Sequence, residues 1–295
     1  MDFSQQFFQQ MINGISLGSI YALIALGYTM IYGIIKLINF AHGDIYMVGA
    51  YIGFFAITQA QIHIFPAILI SMVVTGILGI LVERLAYKPL RHAPRISVLI
   101  TAIGVSFFLE YTSMYFVSPT PRTFPAMLGG VSIHVGELVI NGQQLTILGV
   151  TILLMAILTY VVQKTKIGKA MRAASFDTET AELMGVNADR VISFTFCIGS
   201  ALAAAAGVMV GMYYNSIDPL MGIMPGLKAF VAAVLGGIGI LPGAVVGGLI
   251  LGIIEALVSG FISSTFRDAA AFAILILVLL IKPSGIFGKN TREKV

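Results

Sequence analysis

Between Ile38 and Met47 the chain reads INFAHGDIYM, so Asn39, His42 and Asp44 stand within one short stretch flanked by apolar residues. A carboxamide, an imidazole and a carboxylate this close together can hold a polar solute or cap helix ends. The residues support two readings. In the structural one, Gly43 takes a positive φ and closes a turn, Asp44 caps a helix beginning at Ile45, and His42 and Asn39 cover free carbonyls at the end of the preceding helix. In the functional one, the turn lies between two membrane segments at the inner mouth of a polar path, where it gates a zwitterion or steadies a moving joint. Glu110 and Glu255 also stand inside apolar segments, where an ionisable side chain is a functional candidate. The bland reading for Glu110 is a place near the outer mouth beside Tyr111 and Tyr115. Lys228 reads as an anchor at the outer start of a broken helix. The glycine-rich stretch 236–243, with Gly236 and Gly237 at its start, would offer broken-helix dipoles to a polar solute.

None of these residues forms a catalytic set. His42 has no nucleophile near it, and neither G-x-S-x-G nor H-E-x-x-H occurs. The single cysteine, Cys197, rules out an intrachain disulfide framework and a Cys-rich metal site. There is no phosphate-binding G-x-x-x-x-G-K-[ST]; GIFGKN at 285–290 lacks both the spacing and the hydroxyl. The chain is therefore expected to bind no cofactor of its own, and any ATP that drives it must bind another chain.

The elements that position these residues follow from composition. Hydrophobic residues make up 58% of the 295, charged residues 10%, and mean hydropathy is +0.97, against roughly 25% charged in soluble domains. Residues 3–35, 45–82, 191–217 and 229–254 carry no charge. Long, non-alternating apolar runs exclude a barrel and require helices, because lipid offers no partner to a backbone amide. The expected fold is all-α: one polytopic helical membrane domain over 1–295 with eight to nine spans. These cover about 11–35, 45–60, 64–82, 96–117, 145–163, 191–212, 226–240, 243–261 and 267–282, the region 226–261 being broken at Pro242 into two short helices. Basic residues cluster at Arg84, Lys88, Arg91 and Arg95, at Lys164, Lys166, Lys169, Arg172 and Arg190, and at Lys282, Lys289, Arg292 and Lys294. The positive-inside rule puts these clusters and the C-terminus in the cytoplasm and the N-terminus outside, so the net charge of +4 reflects topology and gives no sign of nucleic-acid binding. The largest external loop, 118–144, with Pro119, Pro121, Pro125 and a glycine pair, caps the bundle. Glycines four apart, as at Gly14/Gly18, Gly49/Gly53, Gly207/Gly211, Gly239/Gly243, Gly243/Gly247 and Gly248/Gly252, predict close helix packing, or smooth faces that slide in a moving transporter.

The loop 164–190 is internal and structured. Asp177 is a good N-cap, Thr178–Met184 favours a helix of about two turns with Glu179 at its positive end, and Gly185 suits the C′ position. Ala181, Leu183 and Met184 give this helix an apolar side. It can dock in a partner's groove or lie on the lipid surface, and Glu179 and Glu182 weigh mildly against an anionic leaflet.

The blocks GISLGSIYALIALGYTMIYGIIKLINFAHGDIYMVGAY, KIGKAMRAASFDTETAELMGVNADRVISFTF, GLKAFVAAVLGGIGILPGAVVGGLILGIIEAL and KPSGIFG closely resemble permease subunits of branched-chain amino acid ABC importers. The likeness covers nearly the whole chain and falls off in 118–144. It implies a bacterial inner-membrane protein that passes leucine, isoleucine and valine from a periplasmic binding protein. It also implies a second, related permease chain, expected to be a heterologous one although the sequence leaves an identical partner open, and two ATPase subunits that carry ATP and Mg. By the same likeness the loop 164–190, with Arg172, Asp177, Glu179, Glu182, Leu183, Met184 and Gly185, is the ATPase-coupling segment. Asp44 stands where the family often has Glu. Relatives with similar blocks carry urea and short amides. Outside the family the competing readings are a secondary transporter or channel and an intramembrane enzyme.

Overall fold

The computed structural model describes residues 3–91, 93–127 and 132–288. Lys289, Arg292 and Lys294 of the basic tail, and the glycine pair 129–130, lie outside the described residues. Eleven α-helices are present among those described: α1 (Phe3–Ile35), α2 (His42–Thr58), α3 (Ile64–Val82), α4 (Arg95–Phe116), α5 (Gly142–Lys164), α6 (Lys166–Phe176), α7 (Thr178–Leu183), α8 (Ala188–Tyr214), α9 (Ile223–Gly236), α10 (Leu241–Phe261) and α11 (Arg267–Ile281). Four short strands, β1 (Arg122–Thr123), β2 (Ser132–Val135), β3 (Leu138–Asn141) and β4 (Ser216–Ile217), pair antiparallel as β1·β4 and β2·β3.

Each apolar run expected from the sequence is a helix. Seven helices are long and apolar enough to cross a membrane, while α2 (17 residues) and α9 (14 residues) are shorter. α1 and α8 form the centre, with most of their residues buried, whereas α3, α4, α5 and α11 show wide apolar faces to the outside. That is the distribution for a bundle in lipid, where the outside is as apolar as the core.

Glycine sets the spacing. α1 and α10 cross so tightly that a Cβ on Gly14 or Gly18 would fall 2.6 Å and 2.8 Å from the Cα atoms of Ile253 and Leu249, and a Cβ on Gly248 would lie 2.6 Å from the Ala22 nitrogen. Gly49 of α2 meets Ala204 of α8, and Gly207 of α8 meets the Tyr46 carbonyl. The expectation of close packing holds for these pairs. Gly239 is different: it lies in a turn with φ +91°, so it forms no helix face with Gly243.

The broken segment also departs from expectation. The interruption falls at Gly237–Ile240 and not at Pro242, which sits in the first turn of α10, where its missing N–H costs nothing. α10 is a full-length helix of 21 residues, and only α9 is short. The residues after α11 fold back onto this break: the Ile286 and Phe287 amides donate to the Leu235 and Gly236 carbonyls at 2.9 and 3.2 Å. They satisfy the open end of α9.

The loop 164–190 is more ordered than the sequence suggested. α6 follows α5 almost directly, its start capped by the Thr165 side chain, which accepts from the Gly168 amide at 3.1 Å. At the other end of the bundle the β2–β3 hairpin is fastened to the start of α1, where Gln9 Oε1 and Nε2 meet the Val139 amide and carbonyl, each at 3.0 Å. Phe124 plugs the same end, buried against Phe54 with ring centroids 6.1 Å apart. The described parts of 118–144 thus lie over this end of the bundle.

Candidate functional site

The INFAHGD stretch departs from the capping account. α2 begins at His42, its N-cap is Ala41, and no side chain caps it. Asp44 lies within the first turn, and Gly43 is helical, without the positive φ expected of it. Gly43 is required for another reason: a Cβ there would overlap the Gly222 carbonyl at the start of α9. α2 also begins deep inside the bundle. The His42 ring packs on Tyr28 at 4.6 Å and edges onto Gly27, roughly two turns before the end of α1. Two short helices therefore start at one interior point. From there α2 runs toward the Phe124 end and α9 toward the end where Gly239 meets Gly33.

The polar groups at this point are all buried: Asn39, His42, Asp44 and Glu110 are each at most 4% exposed. The Tyr87 hydroxyl donates to Asn39 Oδ1 at 2.6 Å, so Asn39 braces a second helix end and covers no carbonyl of α1. The Ser106 hydroxyl donates to Asp44 Oδ2. Glu110 is neither at an outer mouth nor with its exposed neighbours Tyr111 and Tyr115; its carboxyl lies beside that of Asp44. Asp44 Oδ1 has no hydrogen-bond partner. It faces a cavity of about 150 Å³ lined by Tyr28, Phe40, Ile103, Ser106, Gly222 and Ile223 among others. Sequence reasoning missed Ser106, although it stands four residues before Glu110 and so on the same helix face.

Lys228 is likewise not an interfacial anchor. It is 2% exposed, and its ammonium binds Glu255 Oε1 at 3.0 Å and Asp268 Oδ1 at 2.6 Å. The Tyr21 hydroxyl donates to Glu255 Oε2 at 3.0 Å. This cluster ties α1, α9, α10 and α11 together away from the Asp44 cavity.

A larger cavity of about 590 Å³ opens toward the other end. Its walls include Leu26, Leu158, Val162, Leu241 and Val245, with Thr159, Gln163 and Arg172 as polar members. Arg172 lies on α6 and donates to the Val162 carbonyl. It therefore points to this cavity and is separate from α7. Gly236 and Gly237 do not line the cavity. Gly236 packs on Gly243, and Gly237, with φ +105°, meets the returning tail at Ser284 and Gly288. Their successors Gly239, Ile240, Leu241 and Pro242 form the wall.

The remaining residues of the loop come together as expected. Asp177 caps α7, accepting from the Thr180 amide at 3.1 Å and hydroxyl at 2.5 Å. These bonds hold its carboxyl below the ordinary carboxylate value. Gly185 takes φ +86° just past the helix end. Glu179 and Glu182 face water, and Phe176, Leu183 and Met184 are 95, 88 and 82% exposed. The α6–α7 corner is held between α5 and α8. At the start of α8, Asp189 pairs with Lys88 at 2.6 Å and with Arg91, and Arg91 in turn pairs with the fully buried Glu83. The basic cluster at 84–95 therefore has a structural use that its charge alone did not reveal.

Comparison with known proteins fits this arrangement. A family model described as branched-chain amino acid transport system / permease component matches residues 10–281. The high-affinity branched-chain amino acid transport system permease protein BraD of Pseudomonas aeruginosa is 44% identical over 98% of both chains. The corresponding LivH protein of Escherichia coli is 45% identical, again over 98% of both. A solved structure, PsaBC from Streptococcus pneumoniae in complex with Fab, aligns over 96% of this chain and 93% of that one, with TM-score 0.48 and 13% identity. With a family model spanning nearly the whole bundle and relatives matched end to end, this polytopic helical chain belongs to the family of branched-chain amino acid transport system permease components.

Proposed function

We propose that the chain is the membrane-spanning subunit of an ATP-binding-cassette importer that carries leucine, isoleucine and valine inward. A periplasmic binding protein would load it on the Phe124 and β2–β3 face. A second, related permease chain would complete the path, and two ATPase subunits, which hold ATP and Mg, would drive it. The chain lies in a bacterial inner membrane with the α6–α7 corner and C-terminus in the cytoplasm.

The observation that carries this reading is the α6–α7 corner. The corner formed by the end of α6 and the six-residue α7 does not bury Phe176, Leu183 and Met184 against its own chain, and these side chains project almost wholly outward. Apolar side chains held outward by a capped, braced element need a partner surface. α7 is joined through α6 to α5, and directly to α8, so a push on it is delivered to the bundle centre. The cargo chemistry fits the interior, which pairs apolar walls for a branched side chain with a few buried polar groups for a zwitterion.

The test is Glu182→Arg in the assembled transporter, reconstituted with binding protein and ATPases. ATP hydrolysis is expected to continue while leucine uptake falls at least tenfold, with membrane insertion intact. Unchanged uptake would remove α7 from coupling, and uptake by vesicles lacking the ATPase subunits would overturn the importer reading itself.

A further inference from the structure

Two carboxyls are buried near each other in the bundle interior, since Ser106 bonds Asp44 and Glu110 stands one helical turn from Ser106 on α4. Asp44 and Glu110 are 2% and 4% exposed. Among the described residues no Lys, Arg or His forms an ion pair with either; Lys228, Arg91 and Arg267 pair elsewhere. A buried carboxylate needs a positive partner or a full set of donors. Ser106 supplies one donor to Asp44 Oδ2, and Asp44 Oδ1 is left bare toward the cavity.

We propose that this cavity is the subsite that holds the ammonium group of a cargo amino acid, with Asp44, whose carboxyl lines it, as the counter-charge and Glu110, one helical turn beyond Ser106 on α4, reinforcing it from behind the wall. The assignment rests on the importer reading and names the part of the cargo read here. The cavity chemistry selects a primary alkylammonium over a metal ion. Beside Asp44, Ser106 and the Tyr28 hydroxyl the side chains lining it, Phe40, Ile103, Ile223 and Leu227, are apolar, too few oxygens for a hard cation, which asks for six or more. At about 150 Å³ the space lies well below the roughly 300–1,000 Å³ of pockets for drug-sized ligands, which suits the head of a small organic ion. The start of α9 lines the same cavity through Gly222, Ile223 and Gly226. Its positive dipole end favours the cargo's carboxylate beside the ammonium. The bare Gly43, Gly222 and Gly226 surfaces keep these two helix starts close: a Cβ on Gly226 would fall 3.0 Å from the Gly43 Cα.

The experiment is equilibrium binding of radiolabelled leucine to the purified transporter complex without binding protein, with competition by 3-methylbutylamine and by 4-methylpentanoate. These keep the branched tail and carry only the ammonium or only the carboxylate. On the unmodified complex the amine is expected to displace leucine at concentrations where the acid does not. Asp44→Asn and Glu110→Gln, checked for intact assembly with the ATPase subunits, are each expected to raise the Kd for leucine at least tenfold and to abolish the advantage of the amine. If the unmodified complex binds leucine but the amine fails to compete, or the acid competes equally well, the subsite is wrong and the importer reading stands. A complex that neither binds nor takes up leucine removes the importer reading, and the subsite with it.

Discussion

Lys228 shows how much a single buried charge carries in this bundle. It stands between Glu255 and Asp268 with almost no access to solvent. Removing it leaves the fully buried Glu255 with only the Tyr21 hydroxyl and the longer Arg267 contact at 3.7 Å, and breaking a buried pair costs up to about 3–5 kcal/mol. Lys228→Met is expected to lower the thermal midpoint of the assembled complex in detergent, and adding Glu255→Gln should recover part of the loss. At the other extreme, Asp177 is fully exposed and acts locally. Bonds from the Thr180 hydroxyl and amide hold its carboxyl below the ordinary value. Its contribution is therefore complete above the unfolded-state value and is lost as pH falls through the lower folded value. Protection of the α7 amides, taken as exchange relative to the intrinsic rate at each pH, should fall in acid, and Asp177→Asn, which keeps an acceptor, should remove that pH dependence. The polar types were legible in the sequence, but their partners were not. Glu110 and Asp44 are far apart in sequence, and nothing in their spacing says that they meet.

The contact between α1 and α10 is governed by the absence of side chains. Gly252→Leu is expected to force these helices apart, because a Cβ there would already overlap the Gly18 backbone. Overpacking typically costs about 1–3 kcal/mol, and loss of expressed, folded protein is the readout. Gly149 on α5 is the control. Nothing lies within 4 Å of a Cβ there, so Gly149→Ala should be neutral or gain about 0.5–1 kcal/mol from helix propensity. Among the glycines that do stand four apart, spacing alone cannot tell a helix contact from a turn. Gly14/Gly18 and Gly248/Gly252 face each other across a helix pair, whereas Gly239/Gly243 straddles a turn. The short helix α7 was legible because its cap and stop residues act within a few positions. α6 was missed because its Thr165 cap and the sharp bend after α5 offered no comparable signal inside a basic stretch.

Across the whole molecule, the β2–β3 hairpin and the α6–α7 corner occupy opposite ends of α1, a helix about 50 Å long. With Cys197 replaced by Ala, Ile133→Cys and Leu183→Cys should report from opposite aqueous sides. A membrane-impermeant maleimide is expected to label Ile133→Cys in intact cells and Leu183→Cys only after the membrane is opened. Labelling of both from one side would overturn the topology and the docking role of α7 with it.

The sequence by itself determined the helical membrane class, the nine apolar segments, the basic end and the capped helix after Asp177. These are properties of composition and of neighbours a few residues apart, and lipid enforces them on any chain of this kind. Only the tertiary structure decided that α2 and α9 start inside the bundle, that the chain breaks at Gly237–Ile240, and that Asp44 of α2 meets Ser106 of α4 at a cavity while Lys228 pairs with Glu255. Those outcomes depend on which helix faces meet across long stretches of chain, and that is settled by packing among all the helices at once.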